Sequence, residues 1–201
     1  MLSLTHLLLL TTYLLSAALS TSTTHLHLTA LISHPETGHP QFECWRLDQP
    51  FTTYPTVGKA IQGLADVSNL SYVVLPPRSS EGVHNAPHPM YIIPFFVLLS
   101  GLAHVTLPPN ADYDYADNDT TANELWIMEG VNGLMIAADT WGPGHVTDYP
   151  SDKETVALQI PLWEGRMPGH EVVARGVCGV EEREGGFWDG DGSRVVVQGG
   201  S

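Results

Sequence analysis

Short apolar runs that alternate with turn residues dominate the chain from Phe42 onward. The runs are rich in β-branched and aromatic side chains and are bounded by Gly, Pro, Asn or Asp, which is typical of short strands joined by tight turns. The spacing predicts a short helical turn only at residues 57–67. Strands at short intervals, without long helices between them, predict an all-β sandwich or barrel. The predicted strands are residues 43–47, 71–75, 91–99, 102–107, 124–128, 134–138, 155–160, 171–174 and 194–197.

The first twenty residues have the pattern of a secretory signal peptide. Residues 7–10 and 14–15 form a short hydrophobic region, and Ala18 and Ser20 place small residues before a cleavage site at Thr21. A membrane anchor is the alternative reading, but polar residues interrupt the run and it is too short to span hydrocarbon comfortably. We therefore expect a secreted protein that has no membrane contact after cleavage.

Two further features fit the secretory pathway. Asn69 and Asn118 each begin an N-glycosylation sequon, so a glycoprotein is expected. Cys44 and Cys178 are the only cysteines, and in an oxidising compartment an even pair favours one disulfide that joins the two ends of the predicted domain. Two buried free thiols are the alternative, because the sequence does not give the Cα separation.

The charge balance narrows the range of partners. The chain has 22 Asp and Glu residues against 8 Lys and Arg residues, a formal net charge of −14. Such a surface repels phosphate backbones and anionic lipid headgroups, so binding to nucleic acid or to a membrane surface is not expected.

The strands define one predicted domain, residues 42–178, between two polar segments. Residues 21–41 read as a polar lead-in, and the four histidines in it suggest a solvated segment more than a metal-binding tract. Residues 179–201 form an acidic, Gly-rich tail. Residues 112–119 carry four carboxylates that could hold Ca²⁺, but they lack the pattern of an EF-hand loop and favour a solvated loop.

Two segments place a histidine beside a Gly- or Pro-rich turn. Residues 82–88 contain His84 and His88 and are followed by a Leu-Ser-Gly turn at residues 99–101. Residues 133–145 end in a Gly-Pro-Gly turn and His145. Neutral imidazole is a common metal ligand and titrates near neutral pH, so two histidines on strands that face one cavity would form a candidate site.

Together these segments resemble the two sequence motifs of the cupin superfamily, small β-barrels of the jelly-roll type. More narrowly, they are similar to small secreted cupin-like proteins from fungi. His84 and Gly101 match the first motif, while Gly133, the Gly-Pro-Gly turn and His145 match the second. The resemblance implies one jelly-roll barrel with little helix around a small-molecule cavity. It further implies a divalent metal (Fe, Mn, Zn or Ni) at His84 and His145, and it leaves a homodimer open.

The match to the metal-binding cupins is incomplete. Their second histidine ligand corresponds to Ala86, and their acidic ligand would fall at Met90 or Tyr91. Catalytic metal sites usually have three protein ligands and one open position. Two histidines alone therefore predict weak metal binding.

His88 is the main candidate for a third metal ligand. In an extended segment it has the same parity as His84, although the prolines on both sides of it disfavour regular strand geometry. His104 is a further candidate, and a half-buried or surface imidazole is the alternative for both residues. The predicted metal ligands are thus His84, His88 and His145.

The first functional hypothesis is an enzyme. A metal could act as a Lewis acid or bind oxygen, as in an oxygenase. Without metal, His84 and His145 could serve as general acid and base in isomerisation, cyclisation or lyase chemistry. Asp139 is the third predicted catalytic residue because it could orient His145, and capping of the following turn is the alternative.

The second hypothesis is a binding module for a metabolite or sugar, without chemistry. Its cavity would be lined by aromatic and aliphatic side chains, for which Trp126, Met128, Met135 and Trp141 are candidates. A structural secreted protein with a degenerate site is the third hypothesis.

Overall fold

The computed structural model describes residues 24–54, 58–86, 94–109, 123–130 and 133–179. Over these residues the chain forms β-strands and no α-helix, which confirms the all-β class. A 3₁₀ turn is found at Trp163–Gly165. The strands are β1 (His25–Ser33), β2 (Pro40–Pro50), β3 (Thr52–Thr53), β4 (Lys59–Ala60), β5 (Ser71–Leu75), β6 (Ser79–His84), β7 (Pro94–Ser100), β8 (Leu102–Thr106), β9 (Glu124–Met128), β10 (Leu134–Ala138), β11 (His145–Tyr149), β12 (Thr155–Pro161) and β13 (His170–Arg175).

Two sheets make up the body of the molecule. A seven-stranded sheet has the order β13-β2-β1-β10-β7-β12-β5, and a four-stranded sheet has the order β6-β11-β8-β9. β1 and β10 are parallel, whereas the other neighbours are antiparallel. No strand in the described ranges belongs to both sheets, so these residues form a two-sheet sandwich and not the closed barrel that was expected.

The seven-stranded sheet is buried on both faces. One face packs against the four-stranded sheet through a cluster that includes Leu31, Phe42 and Val105. The opposite face carries a second cluster around Trp45 and Ile136, which the loop residues Leu64 and Leu162 help to cover. Strands with two buried faces have nearly continuous apolar runs, and for this reason alternation is weak in β1, β7 and β10.

The β structure begins earlier than the sequence suggested. Residues 25–33, placed in a polar lead-in, form β1 in the interior of the seven-stranded sheet. Leu28 and Ala30 are buried on one face of β1, and Leu31 is buried on the other. The polar residues around this short apolar run concealed it, because β1 gains its burial from β2 and β10, which lie elsewhere in the chain.

Most predicted strands agree with the structure. Residues 71–75, 124–128 and 134–138 are confirmed with their boundaries, and five other strands are confirmed with shifted ends. The helical turn predicted at residues 57–67 is wrong for residues 58–67, where Gly58 and Gly63 have positive φ angles and β4 forms. β6 and β11 were not predicted. The signal region, residues 1–20, and the predicted strand at residues 194–197 lie outside the described residues.

Pro94 occupies the first position of β7. β7 lies between β10 and β12 in the interior of the sheet, where a proline within the strand would remove a ladder hydrogen bond. The first residue of a strand tolerates the missing N–H of proline, so the ladder continues from Phe95 onward.

The predicted disulfide is confirmed. Cys44 on β2 is bonded to Cys178, with 4.6 Å between the two Cα atoms, and both residues are buried. The backbone N–H of Cys178 also donates a hydrogen bond to Thr29 Oγ1 on β1, 3.0 Å away. The segment after β13 is thereby attached to the centre of the sheet. Within the described ranges, the chain contains no helix that is both long and apolar enough to cross a membrane.

Candidate functional site

The two motif histidines lie side by side on neighbouring strands. His84 ends β6 and His145 begins β11, and the two residues are directly paired in the antiparallel ladder. Their ring centroids are 4.3 Å apart and the ring planes are tilted by 55°. His145 is buried, whereas the His84 side chain is 28% exposed. One imidazole therefore lies inside the sandwich and the other lies at its opening.

The Gly-Pro-Gly turn before β11 makes this approach possible. Gly142 and Gly144 both have positive φ angles, which favour glycine. A Cβ atom on Gly144 would collide with the carbonyl oxygen of His84, and one on Gly142 would collide with the carbonyl oxygen of Gly38. Glycine at both positions therefore lets the turn pack against the end of β6 and bring His145 next to His84.

Asp139 and His145 form a buried carboxylate–imidazole pair. Asp139 Oδ2 lies 2.6 Å from His145 Nδ1, and Asp139 is fully buried at the end of β10. The other carboxylate oxygen, Oδ1, accepts a hydrogen bond from the backbone N–H of Ala86 at 3.3 Å. A proton on Nδ1 is the one that can donate to the carboxylate, so the lone pair of the neutral ring is placed on Nε2. The structure thus pairs Asp139 with His145, as the sequence suggested.

His84 has the opposite hydrogen-bond environment. Its Nδ1 lies 2.9 Å from the carbonyl oxygen of Gly82, and its Nε2 lies 3.0 Å from Glu81 Oε2. Both partners accept hydrogen bonds, so this environment favours the imidazolium, in which both ring nitrogens donate. The hydrogen bond to Glu81 raises the pKa of His84 above its usual range, although partial burial opposes this shift.

Glu81 and Tyr149 complete the site, and neither residue was predicted from the sequence. The Tyr149 hydroxyl donates to Glu81 Oε1 at 2.6 Å, while Oε2 of the same carboxylate faces His84. These hydrogen bonds, with that of His84 the strongest, lower the pKa of Glu81 despite its burial. Burial, followed by the hydrogen bond to Glu81, raises the pKa of the Tyr149 phenol. Val146, Thr147 and Tyr149 are residue types that favour strands, and this local preference was the sequence signal that could have found β11.

A bulge in β6 places Glu81 and His84 on the same face. Val146 of β11 pairs with Val83, and Asp148 pairs with Ser80, so one more residue lies between the pairs on β6 than on β11. Gly82 occupies this bulge with a φ of 69°. In a regular strand, residues three positions apart point to opposite faces. The bulge reverses this relationship and allows Glu81 to contact His84.

His104 does not belong to the site. It pairs with Asp148 across β8 and β11, on the opposite face of the sheet from His145 and Tyr149. There it stacks on Trp126, with ring centroids 3.8 Å apart, and its Nε2 lies 2.7 Å from Glu124 Oε2. The alternative reading of His104, a half-buried surface imidazole, describes its position.

The aromatic lining proposed for a cavity is mostly wrong. Trp126, Met128 and Trp141 are each more than two-fifths exposed, so they do not line the interior. Met135 is buried and belongs to the core between the two sheets. The sequence did not reveal which face of β9 is covered, because both faces carry apolar side chains.

The contacts of the ring nitrogens determine whether the two histidines can bind a metal. Both nitrogens of His84 face acceptors, and Nδ1 of His145 faces Asp139. Among the described residues, no group of three or more His, Cys, Asp or Glu side chains is arranged to hold a metal ion, although four such side chains lie in the site. They pair with one another and do not converge on a common point. These residues therefore do not fit a three-ligand metal centre, and His88 lies outside the described residues.

An open cleft of about 470 Å³ lies apart from the histidines. It is lined by residues 47–49, 63–66 and 166–169, next to the second apolar cluster. None of the predicted site residues contributes to it, so the chemistry-bearing side chains and this cleft are separate features.

Comparisons of the chain with protein-family models, with curated proteins and with solved structures return no match.

Proposed function

We propose that this protein is a cupin-like enzyme that moves a proton on a small organic molecule. His145 is the general base, His84 is the general acid, and Asp139 orients His145. The observation that carries the proposal is the pair of adjacent imidazoles with opposite hydrogen-bond environments, 4.3 Å apart between ring centroids. Two titratable groups whose surroundings favour different protonation states are the usual arrangement for acid–base catalysis.

His145 has the features of a base. Asp139 accepts a hydrogen bond from Nδ1–H and fixes the tautomer, which leaves the Nε2 lone pair available to remove a proton from a substrate. When Nε2 becomes protonated, the buried Asp139 carboxylate stabilises the imidazolium that forms. Asp139 does not need to be protonated at any step.

His84 has the features of an acid. Its ring carries a proton on each nitrogen, and Glu81 and the Gly82 carbonyl hold the ring in place. A substrate oxygen that shares the Nε2–H with Glu81 Oε2 can accept a hydrogen bond or a proton as negative charge develops on it. Because His84 is 28% exposed, it can be approached from solvent.

The two rings project from neighbouring strands of one sheet, so they act on the same side of a substrate. One proton is removed by His145 and one is delivered by His84, which leaves the oxidation state of the substrate unchanged. Isomerisation, cyclisation and elimination by a lyase share this balance of protons. We derive no step that passes through a metal, because the described side chains do not fit a metal centre.

We further propose that the protein is secreted and glycosylated. A disulfide that joins residues 134 positions apart is typical of oxidising compartments. Asn69, the first residue of one sequon, is exposed, and Asn118 of the other sequon lies outside the described residues. These features support export of the chain after cleavage of the first twenty residues.

A solvent-exchange screen tests the proposed chemistry. Protein dialysed against a chelator is incubated in D₂O with a panel of small metabolites, and NMR follows deuterium incorporation or elimination. We expect activity that survives chelation and falls by about 100-fold or more in His145→Ala and in His84→Ala, with both variants folded. A matched control is His104→Ala, which removes an imidazole from the opposite face.

The same screen distinguishes the alternatives. Activity that is lost on chelation and restored by one divalent metal would replace the proposal with a metal-dependent enzyme, in which His88→Ala would also be inactive. A compound that shifts the ring resonances of His84 and His145 without any exchange would indicate a binding module.

A further inference from the structure

We propose that the site selects an uncharged small molecule over an anion, and that Glu81 is the residue that sets this selectivity. The inference rests on the proposed function only in its choice of site. It names the class of substrate, and its test does not require turnover.

The first argument is the balance of charge within the site. Glu81 and Asp139 supply two carboxylates, and His84 and His145 supply two imidazoles. Even with both imidazoles protonated, the net charge reaches zero and does not become positive. With Nε2 of His145 free to act as a base, the net charge is −1. A carboxylate or phosphate group on a ligand would therefore meet a site that does not attract it.

The second argument is that, among the described residues, the groups that act on Glu81 and His84 include no lysine or arginine. The charged groups that act on Glu81 and His84 are each other, Asp139 and His145, and Tyr149 adds a neutral hydrogen bond. The segment that follows β6, residues 87–93, contains a histidine but no lysine or arginine. The chain as a whole carries a formal charge of −14, so its long-range field also repels anions.

The third argument identifies Glu81 as the deciding residue. Asp139 is fully buried and its oxygens are committed to His145 and to the N–H of Ala86. The Glu81 side chain is 36% exposed, at a depth similar to that of His84. Glu81 thus meets an incoming ligand beside the imidazolium and cancels its charge. The ligand that fits is a carbonyl or hydroxyl compound whose oxygen accepts a hydrogen bond from His84.

A pair of alkylating reagents measures this selectivity directly. Iodoacetamide and iodoacetate have nearly the same size and differ by one charge. In both reactions His145 Nε2 forms a bond to the methylene carbon and iodide leaves. Cys44 and Cys178 are joined in a disulfide, so neither offers a competing thiol. Peptide mass spectrometry gives the rate at His145 at pH 6.0, and N-acetylhistidine amide, which has no free carboxylate, gives the intrinsic ratio of the two rates.

We expect the rate with iodoacetamide, divided by the rate with iodoacetate, to exceed the intrinsic ratio at His145 by about fivefold or more. This is the effect of one nearby unit charge in water. Glu81→Gln should return the ratio toward the intrinsic value. Glu124→Gln removes a carboxylate beside His104 on the opposite face and should leave the ratio unchanged.

Two further outcomes would overturn the inference. A wild-type ratio equal to or below the intrinsic one would show that anions are accepted. Failure of both reagents to modify His145 would show that small molecules do not reach it. If Glu81→Gln does not fold, the ratio is measured instead for the wild type in 1 M NaCl, where salt screens the Glu81 charge and should reduce the selectivity. An inactive protein with the expected ratio would reject the proposed catalysis and retain the selectivity.

Discussion

Glu81 and His84 are three positions apart on one strand, yet Glu81 Oε2 lies 3.0 Å from His84 Nε2. The contact depends on Gly82, whose φ of 69° forms a bulge between them. Through this contact, a strand of low apolar content at the edge of the four-stranded sheet supplies both a charged ring and its counter-charge.

Replacing Gly82 should separate this pair. In Gly82→Ala the Cβ atom meets no other atom within 4 Å, so the cost arises from the left-handed backbone and should be about 1–2 kcal/mol. Relaxation of the bulge would turn Glu81 away and change the ¹⁵N shifts of the His84 ring. Gly63→Ala is the matched control, because Gly63 has a φ of 67° and open space around it. Equal ring shifts in both variants would contradict the role of the bulge.

Asp139→Asn should inactivate His145 as a base. The amide can donate to Nδ1, which moves the ring proton to Nε2 and removes the reactive lone pair. We expect the rate of turnover, or the rate at which iodoacetamide alkylates His145, to fall by about 100-fold or more. Asp148 lies on β11, the strand of His145, but on the opposite face of that strand. The Asp148→Asn variant should therefore react at the wild-type rate. Full reactivity of the Asp139→Asn variant would leave Asp139 with a structural role alone.

The Glu81–His84 pair should contribute to stability within a limited pH range. The pKa of His84 is raised above 6.5, so its contribution is present below pH 6.5 and is lost as the pH rises through the folded-state value. The pKa of Glu81 is lowered from 4.5, so its contribution is present above pH 4.5 and is lost as the pH falls through the folded-state value.

Urea denaturation of wild type and Glu81→Gln should therefore differ most between about pH 5 and 6.5. The difference should be about 0.5–1 kcal/mol, because both side chains are partly exposed and solvent screens the pair. Glu164→Gln is the control, since Glu164 pairs with a guanidinium and not with an imidazole, and the effect should be flat with pH. A flat profile for Glu81→Gln would contradict the assignment of charge to His84.

Loss of the disulfide should destabilise the whole sandwich. The bond closes a loop of 134 residues, for which chain entropy predicts a loss of about 3–5 kcal/mol on removal. The variant Cys44→Ala/Cys178→Ala, measured by chemical denaturation, should show this loss without a change of secondary structure. An unchanged denaturation midpoint would show that packing alone holds the segment after β13 on the sheet.

The sequence by itself determined the all-β class, most strand positions, the disulfide pair and the two central histidines. Strand propensity and turn residues are local properties, so residues 71–75, 124–128 and 134–138 could be predicted to their ends. The histidines were found because a glycine-rich turn beside an imidazole is a local pattern as well. Asp139 could be named for the same reason, since it lies six positions before His145 on the same turn.

Only the tertiary structure decided what surrounds these residues. β1 acquires its burial from strands distant in sequence, and His104 lies on the outer face because of its register with β11. The choice of Glu81 as the partner of His84 required the bulge at Gly82, which reverses the alternation of side chains that a sequence pattern assumes. The partners of the ring nitrogens, Glu81 and Gly82 for His84 and Asp139 for His145, are likewise set by the folded backbone and not by the order of residues.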